Sequence, residues 1–185
     1  EEVVLELMEL LRRTKGLPRK ELLQELAGIR GIYVPSLYTV DYHGDGTLAA
    51  FSPRFPRLPT KIERRLVERL PPPVTRPVVP YIEVVHDRGV VEIQRGCPRG
   101  CRFCQAGFVY RPVRERPPDE VLKAVREVVK NCGYKELSLL SLSTSDYPDI
   151  ESLIPRLNID DLVLSLPSLR MDEFSVRLIN SLPLG

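Results

Sequence analysis

Apolar residues recur at helical spacing over Glu1–Lys15, at Val3, Val4, Leu7, Met8, Leu10 and Leu11, with Gly16 placed to end the helix. A second helix follows. Pro18 suits its first turn, and Leu22, Leu23, Leu26 and Ile29 repeat up to Gly31, so the two helices form an antiparallel pair. Between Ser36 and Ser52 the pattern changes to β-type residues on both sides of Asp41-Tyr42-His43-Gly44-Asp45-Gly46, which predicts a hairpin. Prolines then crowd Ser52–Pro80, an extended connector in which Ile62–Leu70 reads equally as a short helix or an edge strand.

From residue 81 the alternation is different. Tyr81–Val85 and Val90–Gln94 read as strands around a His86–Gly89 turn. Asp119 is the expected N-cap of a helix carrying Val121, Leu122, Val125, Val128 and Val129, closed by Gly133. Leu137–Leu142 is a buried-type strand, Asp149–Leu157 a helix, Leu162–Leu166 a third strand and Asp172–Leu182 a last helix. Three consecutive strand–helix units predict an α/β fold with a parallel sheet and outer helices. The expected domains are 1–80, helical pair, hairpin and connector, and 81–185, the βα part. Chemistry in such folds collects at the C-terminal ends of strands. Three segments follow strand ends here, and all should share one rim: the loop from Arg95, the Ser143–Asp146 turn and Pro167–Arg170.

Composition adds limits. Of 185 residues, 43% are hydrophobic and 28% charged, and no apolar run is long enough to span a membrane. The acidic N-terminus lacks a secretory pattern. Because residue 1 is Glu1, the chain is expected to begin inside a longer polypeptide. The net charge of +2 is too small to argue for nucleic acid, but between Arg95 and Arg116 six arginines face one acid, Glu115. That window is a solvated loop or a positive environment for an anionic ligand.

Three of the four cysteines lie in that window, spaced C-x3-C-x2-C at Cys97, Cys101 and Cys104 directly after a strand. So few cysteines, so bunched, imply metal chemistry in a reducing cytoplasm rather than a disulfide framework. Gly96, Gly100 and Pro98 let the backbone fold tightly. Converging thiolates suit an iron–sulfur cluster, zinc or copper(I). With three thiolates, one iron of a cubane cluster keeps a position for a small molecule. A zinc tetrahedron would need His86 or Cys132 as fourth ligand, while Cys132 reads most simply as a small buried hydrophobe. The pattern D-x-H-x-x-G around His43 matches a cobalamin-binding motif, but turn geometry accounts for its glycines and its partner motifs are absent.

The spacing C-x3-C-x2-C with Phe103 before the last cysteine, after the first strand of a βα series, resembles the signature of radical S-adenosylmethionine (SAM) enzymes. The wider run Val84-Val85-His86-Asp87-Arg88, Cys97 to Gly107 and Tyr110 to Arg116, with Leu139 to Ser143 and Ser165 to Arg170, resembles an uncharacterised branch with a B12-binding-type domain upstream. The resemblance implies that Cys97, Cys101 and Cys104 hold a [4Fe–4S] cluster whose open iron chelates SAM. It also implies Phe103 near the adenine and the Ser143-Thr144-Ser145-Asp146 turn at the SAM amino group, although Ser145 stands where Gly is frequent and the usual Gly-Gly-Glu form is missing. Ser165, Ser168 and Arg170 would meet the ligand or substrate. The implied chemistry is reductive cleavage of SAM to a 5′-deoxyadenosyl radical, fed by a flavodoxin- or ferredoxin-type donor and directed at an unknown substrate, RNA or another anionic molecule. Cobalamin would enter only through the upstream domain.

The superfamily core resembles six βα units in a partial TIM-type barrel, so this chain is expected to be a fragment supplying about three. An iron–sulfur electron-transfer protein and a zinc-stabilised RNA-binding module are the alternatives.

Overall fold

The computed structural model describes residues 3–82, 84–159 and 161–180, divided into two compact units, Glu1–Glu68 and Arg69–Gly185.

The first unit opens with α1 (Val3–Arg13) and α2 (Arg19–Leu26) and continues into a hairpin of β1 (Tyr38–Tyr42) and β2 (Leu48–Pro53). No residue of either helix is fully buried. The unit is instead held by Val34, Leu37, Tyr38 and Leu58, with the Tyr38 and Phe51 rings stacked 4.7 Å apart. In the hairpin turn, Asp45 Oδ1 accepts from the Thr47 amide (3.0 Å) and hydroxyl (2.7 Å), bonds that hold its carboxyl below the usual range. His43 donates its backbone N–H to Thr47 O at 2.8 Å, so the D-x-H-x-x-G run closes a turn. Ile62–Leu70 is neither helix nor strand. Its apolar residues are only intermittently covered, and its backbone joins no ladder.

In the second unit, β3 (Gly89–Glu92), β6 (Glu136–Leu140) and β7 (Val163–Ser165) form a parallel sheet in the order β3-β6-β7. Between β3 and β6 lie a two-residue ladder of β4 (Gln94–Arg95) with β5 (Arg114–Glu115), the short α3 (Ala106–Val109) and the long α4 (Pro118–Cys132). α5 (Ile150–Arg156) links β6 to β7, and α6 (Glu173–Asn180) follows. The strand–helix alternation expected from the sequence is therefore present. Its last predicted helical positions, 181 and 182, lie outside the described residues.

Alternation on the strands sets the layers. Val91 and Ile93 from β3 and its extension, with Leu137 and Leu139 from β6, meet Val121, Val125 and Val128 of α4 and Ile150, Leu153 and Ile154 of α5 in one core. Fully burying each such side chain stabilises by roughly 1.5–3 kcal/mol. Gly89 makes this approach close: a Cβ there would lie 2.8 Å from Val128 Cγ1. The residues between, Val90, Glu92 and Gln94 with Leu140, project to the other face, where Val90 and Leu140 are nearly half exposed.

Two local expectations are corrected. The described residues of Tyr81–Val85 form no strand: Tyr81, Ile82 and Val85 are solvent-exposed, and no neighbouring strand pairs with them. Asp119 is not an N-cap, because the helix starts two residues earlier than such a cap implies, with Pro117 as cap and Pro118 and Asp119 in its first turn. Gly133 ends α4 in the left-handed conformation, φ 72°. The Ser52–Pro80 connector is divided between the units. Its part after Glu68 binds the second unit, where Arg116 donates to Pro71 O (2.7 Å) and Asn131 to Thr75 O (3.0 Å).

Candidate functional site

The cysteine loop is a closed structure on a short stem. Gln94 and Arg95 pair with Glu115 and Arg114, and Gly96 turns the chain with φ +92°. A Cβ on Gly96 would lie 2.6 Å from both Tyr110 O and Pro112 O, so only glycine lets the two sides of the loop come this close. Arg114 is buried across this stem and donates to Pro112 O at 3.2 Å. Arg111 donates to Arg99 O at 3.0 Å and lies over the Phe108 ring at 4.9 Å.

All four cysteines are free thiols. Cys97 is buried, Cys104 partly buried and Cys101 exposed. Gly107 donates its amide to Cys104 Sγ at 3.4 Å. Among the described residues, no three His, Cys, Asp or Glu side chains are grouped so as to hold a metal ion. The three sulfurs share one short loop without closing on one centre. The donor set nevertheless suits an iron–sulfur cluster: three soft thiols on a glycine-rich segment, one already accepting a backbone N–H as cluster-ligating sulfurs do. The fourth ligands considered for zinc lie elsewhere: His86 Nδ1 faces Arg88 Nη2 at 2.9 Å, and Cys132 ends α4.

The turn after β6 holds the other half of the site. Ser143, Thr144 and Ser145 are buried. The Asp146 side chain is 5% exposed and receives Arg99 through Nε (2.9 Å to Oδ2) and Nη2 (2.6 Å to Oδ1), and Ser143 Oγ donates to Oδ2 at 2.8 Å. The Arg99 hydrogen bonds, then that of Ser143 and the charge of Arg170, keep this carboxyl below its usual range against the opposing effect of burial. Arg170 Nε lies 3.7 Å from Asp146 Oδ1. Thr144 bonds the segment after β7 twice, through its amide to Ser168 O (3.2 Å) and its hydroxyl to Pro167 O (2.6 Å), and Arg170 N donates to Ser145 Oγ at 3.2 Å. Ser168 holds φ +61°, the left-handed region, which turns its carbonyl toward Thr144.

The three strand-end segments therefore meet at one rim, with Asp146 as their common partner. Phe103 stands out from the loop, 92% exposed. Ser165 is not part of the group: its hydroxyl accepts from Arg88 Nη1 at 3.2 Å, in company with the Arg88–Glu136 ion pair near the N-terminal ends of β3 and β6. The arginine-rich window is largely committed. Arg95 pairs with Glu92, Arg99 with Asp146, and Arg116 is buried between Glu92 O, Pro71 O and Glu120. Sequence reasoning missed the pairing of Arg99 and the burial of Arg114 and Arg116, because an arginine in a charged loop reads the same whether it faces water or a carbonyl. It also passed over Gln94, 1% exposed, whose side-chain carboxamide has no hydrogen-bond partner among the described residues.

Residues 91–181 match the model of the Radical SAM superfamily. Among curated proteins, the chain is 37% identical over 86 residues to an uncharacterised protein of Methanocaldococcus jannaschii, covering 46% of this chain and 19% of that one. It is 32% identical over 93 residues to the ribosomal protein uS12 methylthiotransferase of Dictyoglomus thermophilum, 50% of this chain and 20% of the relative. It is 33% identical over 76 residues to the tRNA-2-methylthio-N(6)-dimethylallyladenosine synthase of Staphylococcus epidermidis, 40% and 15%. The chain thus spans about a fifth or less of the length of these relatives. The matched segment contains the whole cysteine loop and both strand-end segments that meet it, and over these residues the chain belongs to the radical SAM superfamily.

Proposed function

We propose that Cys97, Cys101 and Cys104 ligate a [4Fe–4S] cluster and that the rim around Asp146 receives SAM, making this chain the cofactor-activating part of a partial βα barrel. The carrying observation is the Arg99–Asp146 pair, which ties the cysteine loop to the turn where the superfamily resemblance places the SAM amino group. When bound, the cluster supplies a low-potential electron for reductive cleavage of SAM to a 5′-deoxyadenosyl radical. The chain's own residues hold and orient. Gly96 and the β4–β5 stem fix the loop, and the Gly107 amide supports Cys104. The Asp146 carboxylate, with the Ser143 and Ser145 hydroxyls beside it, offers acceptors to an ammonium group, Thr144 fixes the turn by bonding Pro167 O, and Arg170 can meet a carboxylate. Exposed Phe103 is free to cover a flat ring.

The relatives are named for acting on a ribosomal protein and on tRNA. Exposed Arg102 and Phe103 suit an RNA or another anionic substrate here, with the electron coming from a flavodoxin- or ferredoxin-type donor. The free thiols suit a reducing cytoplasm. Among the described residues no helix is long and apolar enough to cross a membrane. Cobalamin would act through the upstream domain of the branch, since the D-x-H-x-x-G run around His43 forms a hairpin turn here.

Anaerobic reconstitution with iron and sulfide tests the reading. The expected product binds four irons per chain, and its reduced EPR signal changes on adding SAM. A colourless protein with stoichiometric zinc overturns it. A cluster indifferent to SAM favours electron transfer instead.

A further inference from the structure

Gln94 is the least explained buried group of the second unit. It is 1% exposed, yet among the described residues neither its Oε1 nor its Nε2 has a hydrogen-bond partner. A buried carboxamide left unpaired is costly, and native proteins rarely leave one so without a purpose. Gln94 lines a cavity of about 290 Å3 on the sheet face turned away from the helices, together with Glu92, Arg95, Tyr110, Leu140, Ser141 and Leu142. These residues come from the C-terminal ends of β3 and β6 and from the far limb of the cysteine loop. The walls are mainly apolar, and the Gln94 side chain in them carries a donor and an acceptor on one carboxamide. The two charged residues of the lining, Glu92 and Arg95, bond to each other at 2.8 and 2.7 Å, so the wall carries a matched ion pair beside the neutral Gln94 amide.

We propose that Gln94 is a specificity residue that binds the substrate through a paired hydrogen bond, and that the substrate presents a flat neutral group with a donor next to an acceptor. A nucleobase edge and a carboxamide both have this chemistry. The assignment of the occupant as substrate rests on the proposed radical SAM function. The binding itself does not.

The test uses the full chain without cluster, so it reads separately from reconstitution. The side-chain NH2 of Gln94 is followed by 15N NMR during titration with 1-methylcytosine, 9-methyladenine and benzamide. N,N-dimethylbenzamide, which lacks the donor, and SAM are titrated alongside. Ligands this small should bind in the millimolar range. At least one donor–acceptor probe should shift the Gln94 resonance, and which one responds separates a nucleobase from an amide. N,N-dimethylbenzamide should not. Gln94→Met, similar in shape, should weaken that probe about tenfold or more while its Tm stays at or above that of the parent, as expected when an unpaired amide is removed. A merely structural glutamine would lose stability instead. The proposal falls if no probe binds the parent chain or if Gln94→Met binds equally well. It falls too if Gln94→Met is less stable than the parent, or if SAM shifts the same amide and blocks the probes, since the pocket would then hold the cofactor.

Discussion

Arg99, midway between the first two cysteines, donates hydrogen bonds of 2.9 and 2.6 Å to the Asp146 carboxylate in the turn after β6. The carboxylate is almost fully covered while the guanidinium is nearly half exposed. The pair therefore works less as a buried ion pair than as a surface tether with a rigid anchor. Asp146 is held from its own side by Ser143 and approached by Arg170, so the turn after β6 anchors the cysteine loop in addition to the loop's own β4–β5 stem.

Removing the anchor should loosen the loop. Asp146→Asn keeps the shape but weakens the charge-assisted bonds, at a cost of about 1.5–3 kcal/mol. Arg99→Ala should cost less, because that side chain is partly solvated. Urea denaturation of the two single variants and the double variant should give a coupling energy of about 1 kcal/mol, and additivity would show that the tether has no energetic role.

The same pair sets an acid limit. The folded carboxyl of Asp146 lies below its usual 3.8, so the unfolded chain takes up the proton first as pH falls. Stability from this group is fully present above the usual carboxylate pKa and is lost as pH drops through the folded value. Asp146→Asn should flatten the decline in stability seen by urea denaturation below about pH 4, and an unchanged acid limb would contradict the assignment.

An alkaline counterpart concerns Tyr147, whose hydroxyl donates to Arg116 O at 2.7 Å and whose pKa burial, with Asp149, Glu115 and Glu120 nearby, raises to about 12. The unfolded phenol ionises near 10, so stability should fall between pH 10 and about 12. Tyr147→Phe should lose about 1 kcal/mol at neutral pH and abolish that part of the alkaline decline.

Gly96→Ala should be severe. It combines a positive φ with a Cβ 2.6 Å from two carbonyl oxygens, neither of which is the end of a flexible side chain. A loss of about 2–4 kcal/mol is expected, combining strain and steric displacement. Gly133→Ala, at φ 72° with open space around its Cβ, should cost about 1 kcal/mol. Thermal melts of both variants check the order.

Each of Cys97→Ala, Cys101→Ala and Cys104→Ala should abolish the brown cluster absorbance after reconstitution, whereas Cys132→Ala should retain it. Iron and sulfide analysis, with circular dichroism to confirm folding, separates loss of ligation from loss of structure.

Much of the second unit was legible in the order of residues. The helical stripe from Val121 to Val129, the Gly133 stop and the runs around Leu137 and Leu164 follow from periodicity, and each is found as helix, cap or strand. Tyr81–Val85 shows where this reading fails. Its β-type residues lack a neighbouring strand, and intrinsic preference without a ladder does not make a strand. The cysteine spacing and its place after a strand were also legible, since ligand spacing is a local property.

What the sequence by itself determined is therefore the list of elements and the residues that carry chemistry, because hydrophobic period, turn chemistry and cysteine spacing act over a few residues. The tertiary structure alone decided which side chains meet. It set Arg99 on Asp146, turned Ser165 away toward Arg88, buried Arg116 among carbonyls and left Gln94 unpaired beside a cavity. These outcomes depend on strand register and loop closure over tens of residues, which no local pattern encodes.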